Sequence, residues 1–139
     1  MARGELVRLP DWRLRLVSYL EDCARTAFAE GSHDCALFLA GGVEAMTGVD
    51  YAADFRGRYQ TMKAGLKLLR RAGFKDHVAL AFHHLHKKPI AFANEGDGAV
   101  VETDGTSALG IVQGARIYVL CESGLGNVPL TDAQSVLRV

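Results

Sequence analysis

The chain has 139 residues, of which 49% are hydrophobic and 23% charged, and its 16 basic side chains balance its 16 acidic ones. This length predicts one domain, residues 1–139, since soluble domains run to about 100–200 residues. The formal charge of zero excludes a protein that holds nucleic acid through a global positive field. No membrane span is expected, because the apolar runs are far shorter than the roughly 20 residues a spanning helix needs. The charged start of the chain lacks the apolar stretch of a signal peptide.

Three cysteines, Cys23, Cys35 and Cys121, are spread over the chain. None belongs to a Cys-x-x-Cys pair, so neither a zinc cage nor a redox pair is predicted. Without an export signal, this usage favours synthesis in a reducing cytoplasm. The histidines of segment 83–86 could hold a metal, but the two lysines that follow disfavour a cation, so we interpret the segment as a polar helix end. No metal and no cofactor are predicted.

Helical patterning fills the first half of the chain. A helix is predicted from Asp11 to about residue 28, because apolar residues recur there at spacings of three and four. Its inward positions are expected to be Leu14, Val17, Leu20 and Ala24. A second, nearly uncharged helix is predicted from residues 32–34 to about residue 46, buried on most sides and closely packed at Gly41–Gly42. A third is predicted over 61–71, and a short helix or irregular segment over 75–85.

After Gly96 the apolar periodicity changes to that of strands. Three short strands are predicted at 98–103, 108–112 and 116–121, separated by turns at 104–105 and 113–114. Residues 127–130 and 136–139 could add two edge strands. Helices followed by an antiparallel meander predict an α+β fold.

Cys35 is the sharpest chemical feature of the sequence. It is expected in the first turn of the buried second helix, where the helix dipole stabilises a thiolate. Asp34 and Ser32 supply the cap that ends the preceding loop. The alternative is that Cys35 is a small buried hydrophobic side chain, as most free cysteines are.

A cysteine hydrolase also needs a base within hydrogen-bond reach of the sulfur. None of the 5 histidines lies in a predicted strand. His33, at a loop corner just before Cys35, is the candidate that remains. Asp97, between two glycines at the start of the first strand, is interpreted as a turn residue that hydrogen-bonds its own backbone.

Three segments together resemble the NlpC/P60 superfamily of papain-like cell-wall peptidases. They are 28–38 with its Asp34–Cys35 pair, Gly96–Asp97 before the first strand, and 108–112. The resemblance implies a papain-like fold in which N-terminal helices pack on a small antiparallel sheet, with Cys35 as the nucleophile and Asp34 beside it. Where the superfamily has its catalytic histidine, this chain has Ala108, which cannot accept a proton. The resemblance therefore implies that the chain has the fold of the superfamily but lacks its catalytic base, unless His33 takes that role.

The whole chain more closely resembles a family of short proteins encoded by tailed phages, prophages and gene transfer agents. The segments that carry this resemblance are 11–16, 33–36, 45–48, 56–59, 96–97, 109–112 and 124–130. It implies a tail-tip or baseplate component in the virion tail, made in the host bacterial cytoplasm and in contact with hub and distal tail proteins. We therefore expect a structural protein with an inactive peptidase-like domain. The alternatives are an active cysteine peptidase or amidase that degrades peptidoglycan during genome delivery, and an assembly factor that never enters the virion.

Overall fold

Four helices and then six strands follow one another along the chain in a computed structural model that describes residues 6–103 and 105–139. The helices are α1 (Trp12–Arg25), α2 (Phe38–Thr47), α3 (Met62–Arg71) and α4 (His77–His84). The strands are β1 (His86–Lys88), β2 (Gly98–Thr103), β3 (Thr106–Gln113), β4 (Arg116–Cys121), β5 (Gly124–Pro129) and β6 (Ser135–Arg138). The predicted α+β class is confirmed. The predicted turn at 104–105 includes Asp104, which lies outside the described residues.

All six strands form one antiparallel sheet in the order β1-β6-β2-β3-β4-β5. Strands β2, β3 and β4 make the predicted meander. The edge strand suggested at 127–130 is β5, which spans Gly124–Pro129. The last strand was expected at an edge, but β6 lies between β2 and β1, pairing Val136 with both Ala99 and Lys88. That expectation failed because β1, only 3 residues long and rich in lysine, carries no strand periodicity that the sequence could reveal.

The buried face of α1 differs from the predicted one. Of the predicted inward positions, Leu20 is buried, whereas Leu14 at 72%, Val17 at 47% and Ala24 are exposed. The other buried residues of the helix are Leu16 and Cys23. The sequence carries two adjacent apolar stripes at helical spacing, and periodicity alone cannot choose between them. The choice is made by packing against α2. The helix also ends at Arg25 rather than near residue 28.

Helix α2 is buried along most of its length, as predicted. Both of its glycines allow close approach: a Cβ at Gly41 would collide with the Tyr19 ring, and one at Gly42 with Ile111. The Tyr19 hydroxyl donates a hydrogen bond to the Phe38 carbonyl oxygen at 2.7 Å. The predicted close packing at this glycine pair is therefore confirmed, and it sets α1 and β3 against α2.

Strand β3 contributes alternate residues to two apolar clusters. Leu109 and Ile111 join the helices in the main core, whereas Ala108 and Val112 join a second cluster with residues of β2 and β4. Successive side chains of a strand point to opposite faces, so the sheet is apolar on both faces. Within the described residues, no helix is long and apolar enough to cross a membrane.

Candidate functional site

Cys35 lies in a tight turn before α2 rather than in its first helical turn. Regular helix begins only at Phe38, three positions after the cysteine. The Asp34 carbonyl oxygen accepts from the N–H groups of Leu37 at 3.2 Å and Phe38 at 3.0 Å, which closes this turn. The predicted helix start at residues 32–34 is therefore wrong, because Asp34 holds the chain in a separate turn. Cys35 consequently lacks the dipole position expected for it.

Asp34 organises this turn from its centre. The residue is fully buried and its carboxylate accepts four hydrogen bonds. The donors are the backbone N–H groups of Gly31 at 2.8 Å, Ala36 at 3.0 Å and Leu37 at 3.0 Å, and the Tyr59 hydroxyl at 2.6 Å. Asp34 therefore caps this turn and not α2, whose N-cap is Leu37 without a side-chain hydrogen bond. Both oxygens are occupied by backbone and Tyr59 donors, so the carboxylate orients the loop and not an imidazole.

The Cys35 thiol is half-buried and electrostatically disfavoured as an anion. Burial, followed by the neighbouring Asp34 carboxylate, raises the pKa of Cys35 to about 11. A nucleophilic cysteine needs the opposite shift, below its ordinary value of about 8.5. Near neutral pH the side chain of Cys35 is therefore the neutral thiol.

His33 flanks the same turn. Its backbone pairs with Ala29 in an isolated antiparallel bridge, with N–H···O distances of 2.9 and 2.8 Å. The Nε2 atom is buried and has no hydrogen-bond partner. That nitrogen therefore makes no hydrogen bond to the Cys35 sulfur. The structure brings His33, Asp34 and Cys35 into one turn, and the catalytic role of each stays a prediction.

Ala108, the position of the missing histidine, is buried in the second apolar cluster. Cys121 packs against the same cluster, and its charge would raise the pKa of Cys35, although less than burial and Asp34 do. The side chain at Ala108 is a methyl group within this cluster and offers no proton acceptor, and the cluster lies on the face of β3 opposite to that of Leu109 and Ile111.

His77 and Tyr59 are members of this neighbourhood that sequence reasoning did not select. The ring of His77 extends from the first position of α4 to β3, where Nε2 lies 3.0 Å from the Ser107 carbonyl oxygen. Asp76 caps α4 by accepting from the Ala79 N–H at 2.8 Å, a local signal that fixes where His77 sits. Its contact with β3 is tertiary, so no local pattern could have revealed it.

A small apolar cavity of about 50 Å³ lies beside the Cys35 turn. Its walls come from the turn, the connector before α3, α3 and α4. Its polar lining residues are Tyr59 and His77. Burial lowers the pKa of His77, although Asp76, Ser107 and Asp34 act in the opposite direction. The cavity thus holds an imidazole that favours its neutral form in apolar surroundings, and the Cys35 turn contributes Ala36 and Leu37 to its lining rather than the thiol.

A second organised region surrounds Asp97, which is 1% exposed. Its carboxylate accepts from Lys88 Nζ at 2.6 Å, Arg8 at 3.3 Å, and the backbone N–H groups of Asn94 at 2.9 Å and Val139 at 3.1 Å. The bond from Asn94 confirms the predicted turn role. The two ion pairs add a role that the sequence did not indicate, since they join the start of the chain to β1.

In residues 6–103 and 105–139, no group of three or more histidine, cysteine, aspartate or glutamate side chains is placed to hold a metal ion. Two histidines of segment 83–86, His83 and His84, make ring contacts. His84 stacks on Tyr51 with ring centres 5.4 Å apart, and His83 meets Phe74 edge-on at 5.2 Å.

No curated protein matches the chain. A family model does match, over residues 7–139, and it is described as a domain of unknown function, DUF6950. The match takes in the Cys35 turn, α4 and the whole sheet. By this match, which covers nearly its full length, the chain belongs to the DUF6950 family.

Proposed function

We propose that this protein is a catalytically silent, papain-like domain of the NlpC/P60 type that serves as a structural component of a tail tip or baseplate. Its place is the virion tail of a phage or gene transfer agent. Its partners are hub and distal tail proteins. The resemblance of the sequence to phage tail proteins supports a place in the virion tail. The chemistry of the Cys35 turn supports the absence of peptidase activity.

The observation that carries the proposal is the environment of Cys35. A papain-type nucleophile needs a thiolate, a base in contact with it and a third group that orients the base. Here the pKa of Cys35 is raised by burial and by Asp34. Asp34 is occupied by four donors that hold the loop. The position of the missing base is a buried alanine.

The surface supports a role in contacts with other proteins. Leu14 on α1 is 72% exposed, and Phe92, just after β1, is 68% exposed. With a formal charge of zero, little electrostatic repulsion opposes association with partners. Both features fit a protein that is buried in an assembly after synthesis.

The first test measures the rate of iodoacetamide alkylation of Cys35 between about pH 6 and about pH 11 by peptide mass spectrometry. The thiol should react only toward the alkaline end of this range. Cys121 provides an internal comparison, since it is also half-buried in the same chain. A plateau of fast Cys35 alkylation below pH 7 would overturn the silent assignment.

A second measurement tests the location. Mass spectrometry of purified particles should find the protein in a fixed ratio to the other tail proteins. Its absence from particles that contain a complete tail would support the assembly-factor alternative and overturn the structural proposal.

The alternative activity, a cysteine peptidase or amidase acting on peptidoglycan, is favoured by one observation. His77 brings an imidazole to Ser107, the residue next to Ala108. With Nε2 directed at the carbonyl oxygen, Nδ1 is left as the proton acceptor. Turbidity loss of purified cell walls that disappears in both Cys35→Ala and His77→Gln, but persists in His33→Gln, would establish this activity.

A further inference from the structure

A polar cleft of about 470 Å³ lies between the N-terminal arm, the loop before β2 and the end of β6. Its lining includes four cationic side chains, Arg8, Arg13, Lys88 and Arg138, and two carboxylates, Glu95 and Asp97. Among the side chains of the cleft, cations therefore exceed carboxylates by two, in a chain whose formal charge is zero. This excess of positive charge lies within one cleft.

Both carboxylates already form ion pairs, and the two sets of pairs differ in burial. Asp97 is buried and holds both Arg8 and Lys88, whose side chains are 18% and 16% exposed. Glu95 holds only Arg13, and their side chains are 47% and 68% exposed, so water weakens this pair. Arg138 forms no ion pair with any carboxylate in the described part of the chain.

Trp12 fixes two of the guanidinium groups. Arg8 lies 4.1 Å and Arg13 lies 4.6 Å from the centre of the Trp12 ring. Stacking holds each guanidinium by its face. Arg8 donates to the carbonyl oxygens of Val139 and Glu95 and to Asp97, so it contributes charge to the cleft. Among the residues that the structure describes, Arg13 donates only to the exposed Glu95 carboxylate. Trp12 is also the first residue of α1, and the Asp11 carboxylate at the N-cap of this helix pairs with Arg15.

The cations of the cleft repel one another. Burial lowers the pKa of the Arg8 guanidinium, Asp97 acts in the opposite direction, and Arg13 lowers it further. An anion beside Arg13 would relieve its repulsion with Arg8, and Arg138 lines the same cleft without a carboxylate partner in residues 6–103 and 105–139.

We propose that this cleft binds a small oxyanion with at least two negative charges, held by Arg13 and Arg138 and backed by Arg8. The shared chemistry is that of a phosphate or a dicarboxylate. Fork-shaped guanidinium groups bind either oxyanion through paired N–H···O bonds. The aromatic ring of Trp12 lines the cleft and contacts both Arg8 and Arg13. The site is separate from the Cys35 turn and does not depend on the role proposed for that turn.

The test uses Trp12, the only tryptophan of the chain, as a reporter inside the cleft. Fluorescence of the full chain is followed during titration with inorganic pyrophosphate and, separately, with succinate, at constant ionic strength. A saturable change with either probe is expected, and the stronger probe identifies phosphate or carboxylate as the preferred group. Arg138→Gln should weaken the binding of that probe by about tenfold, the loss of one charge-assisted contact.

The matched control is Arg70→Gln on α3, an exposed arginine that does not line the cleft and whose loss changes the net charge equally. Its titration should match that of the unmodified chain. A change that never saturates with either probe, or equal weakening by both variants, overturns the proposal. If Arg138→Gln alters the unfolding midpoint, Arg13→Gln replaces it, with the same tenfold expectation.

Discussion

Asp34 and Asp97 are both buried, with 0% and 1% of their surface exposed, and each accepts four hydrogen bonds. Their donors differ in kind. Asp34 is held by three backbone N–H groups and a tyrosine hydroxyl, all neutral. Asp97 is held by two cations and two backbone N–H groups. One aspartate shapes a local turn, whereas the other joins distant segments, as its bond to Arg8 spans 89 positions.

The difference in donors shows two ways in which a buried carboxylate is stabilised in this protein. The Asp34 carboxylate receives from backbone N–H groups and the Tyr59 hydroxyl the hydrogen bonds that water would otherwise donate. None of these four donors is a cation. Around Asp97 the cations border a polar cleft, so water can reach Arg8 and Lys88 when the carboxylate is lost. We therefore expect removal of the Asp34 carboxylate to lower the free energy of unfolding more than removal of the Asp97 carboxylate. This holds although ion pairs are the stronger contacts in isolation.

Asp34→Asn should give the largest loss of stability, about 3 kcal/mol, because an amide accepts through one oxygen only and leaves two buried donors unpaired. The free energy of unfolding in urea measures the loss. Tyr59→Phe, which removes a single donor at 2.6 Å, should cost about 1 kcal/mol by the same argument. Equal losses for the two variants would contradict the idea that Asp34 is a shared acceptor.

Asp97→Asn should destabilise the fold by about 2 kcal/mol, less than the isosteric change at Asp34, because the cations it releases remain partly solvated. The stability losses of the two aspartate variants should also differ in their dependence on salt. Raising NaCl from about 0.05 M to about 1 M should shrink the Asp97→Asn loss and leave the Asp34→Asn loss unchanged, since only the former includes screened charge pairs.

The control for this prediction is Glu95→Gln, which removes the exposed pair with Arg13. Its cost should stay below about 1 kcal/mol, as for surface salt bridges in general. A loss at Asp97 larger than that at Asp34, in low and high salt alike, would mean that the cations around Asp97 are not re-solvated.

The sequence predicted best what depends on neighbouring residues. Helix α3 begins after Thr61, whose side chain accepts from the Ala64 N–H, and the predicted bounds of β2 and β4 are those observed. Asp34 and Asp97 both stood out for the same reason, since each binds backbone groups within three positions.

What the sequence could not predict depends on contacts between distant segments. The buried face of α1 was wrong because Leu14 and Leu16 are equally apolar, and only packing on α2 distinguishes them. Tyr59 reaches Asp34 across 25 positions, and His77 reaches Ser107 across 30 positions. No periodicity reports such pairs. Sequence reasoning therefore selected Cys35, Asp34 and His33 for the candidate site, but not Tyr59 and His77.

The smallest expected effect concerns the pH dependence of stability at His77. Burial lowers the pKa of this imidazole in the folded chain, so the unfolded chain binds the proton more readily. The stabilising contribution of the neutral ring is complete above the unfolded value of about 6.5 and is lost as the pH falls below it. His77→Gln keeps a donor for the Ser107 carbonyl oxygen and does not titrate. Relative to this variant, the unmodified chain should lose stability between about pH 7 and about pH 5.

Combining this measurement with the two aspartate variants sharpens the comparison. Asp34 raises the pKa of His77, so removing its charge lowers that pKa further and should steepen the loss of stability on acidification. Asp97 is not among the groups that act on His77, so Asp97→Asn should leave the slope unchanged. Urea unfolding of both variants at the two pH values, with and without His77→Gln, measures the slopes. Equal slopes in the two aspartate variants would mean that the charge of Asp34 does not reach the imidazole, and that the turn and α4 are electrostatically independent.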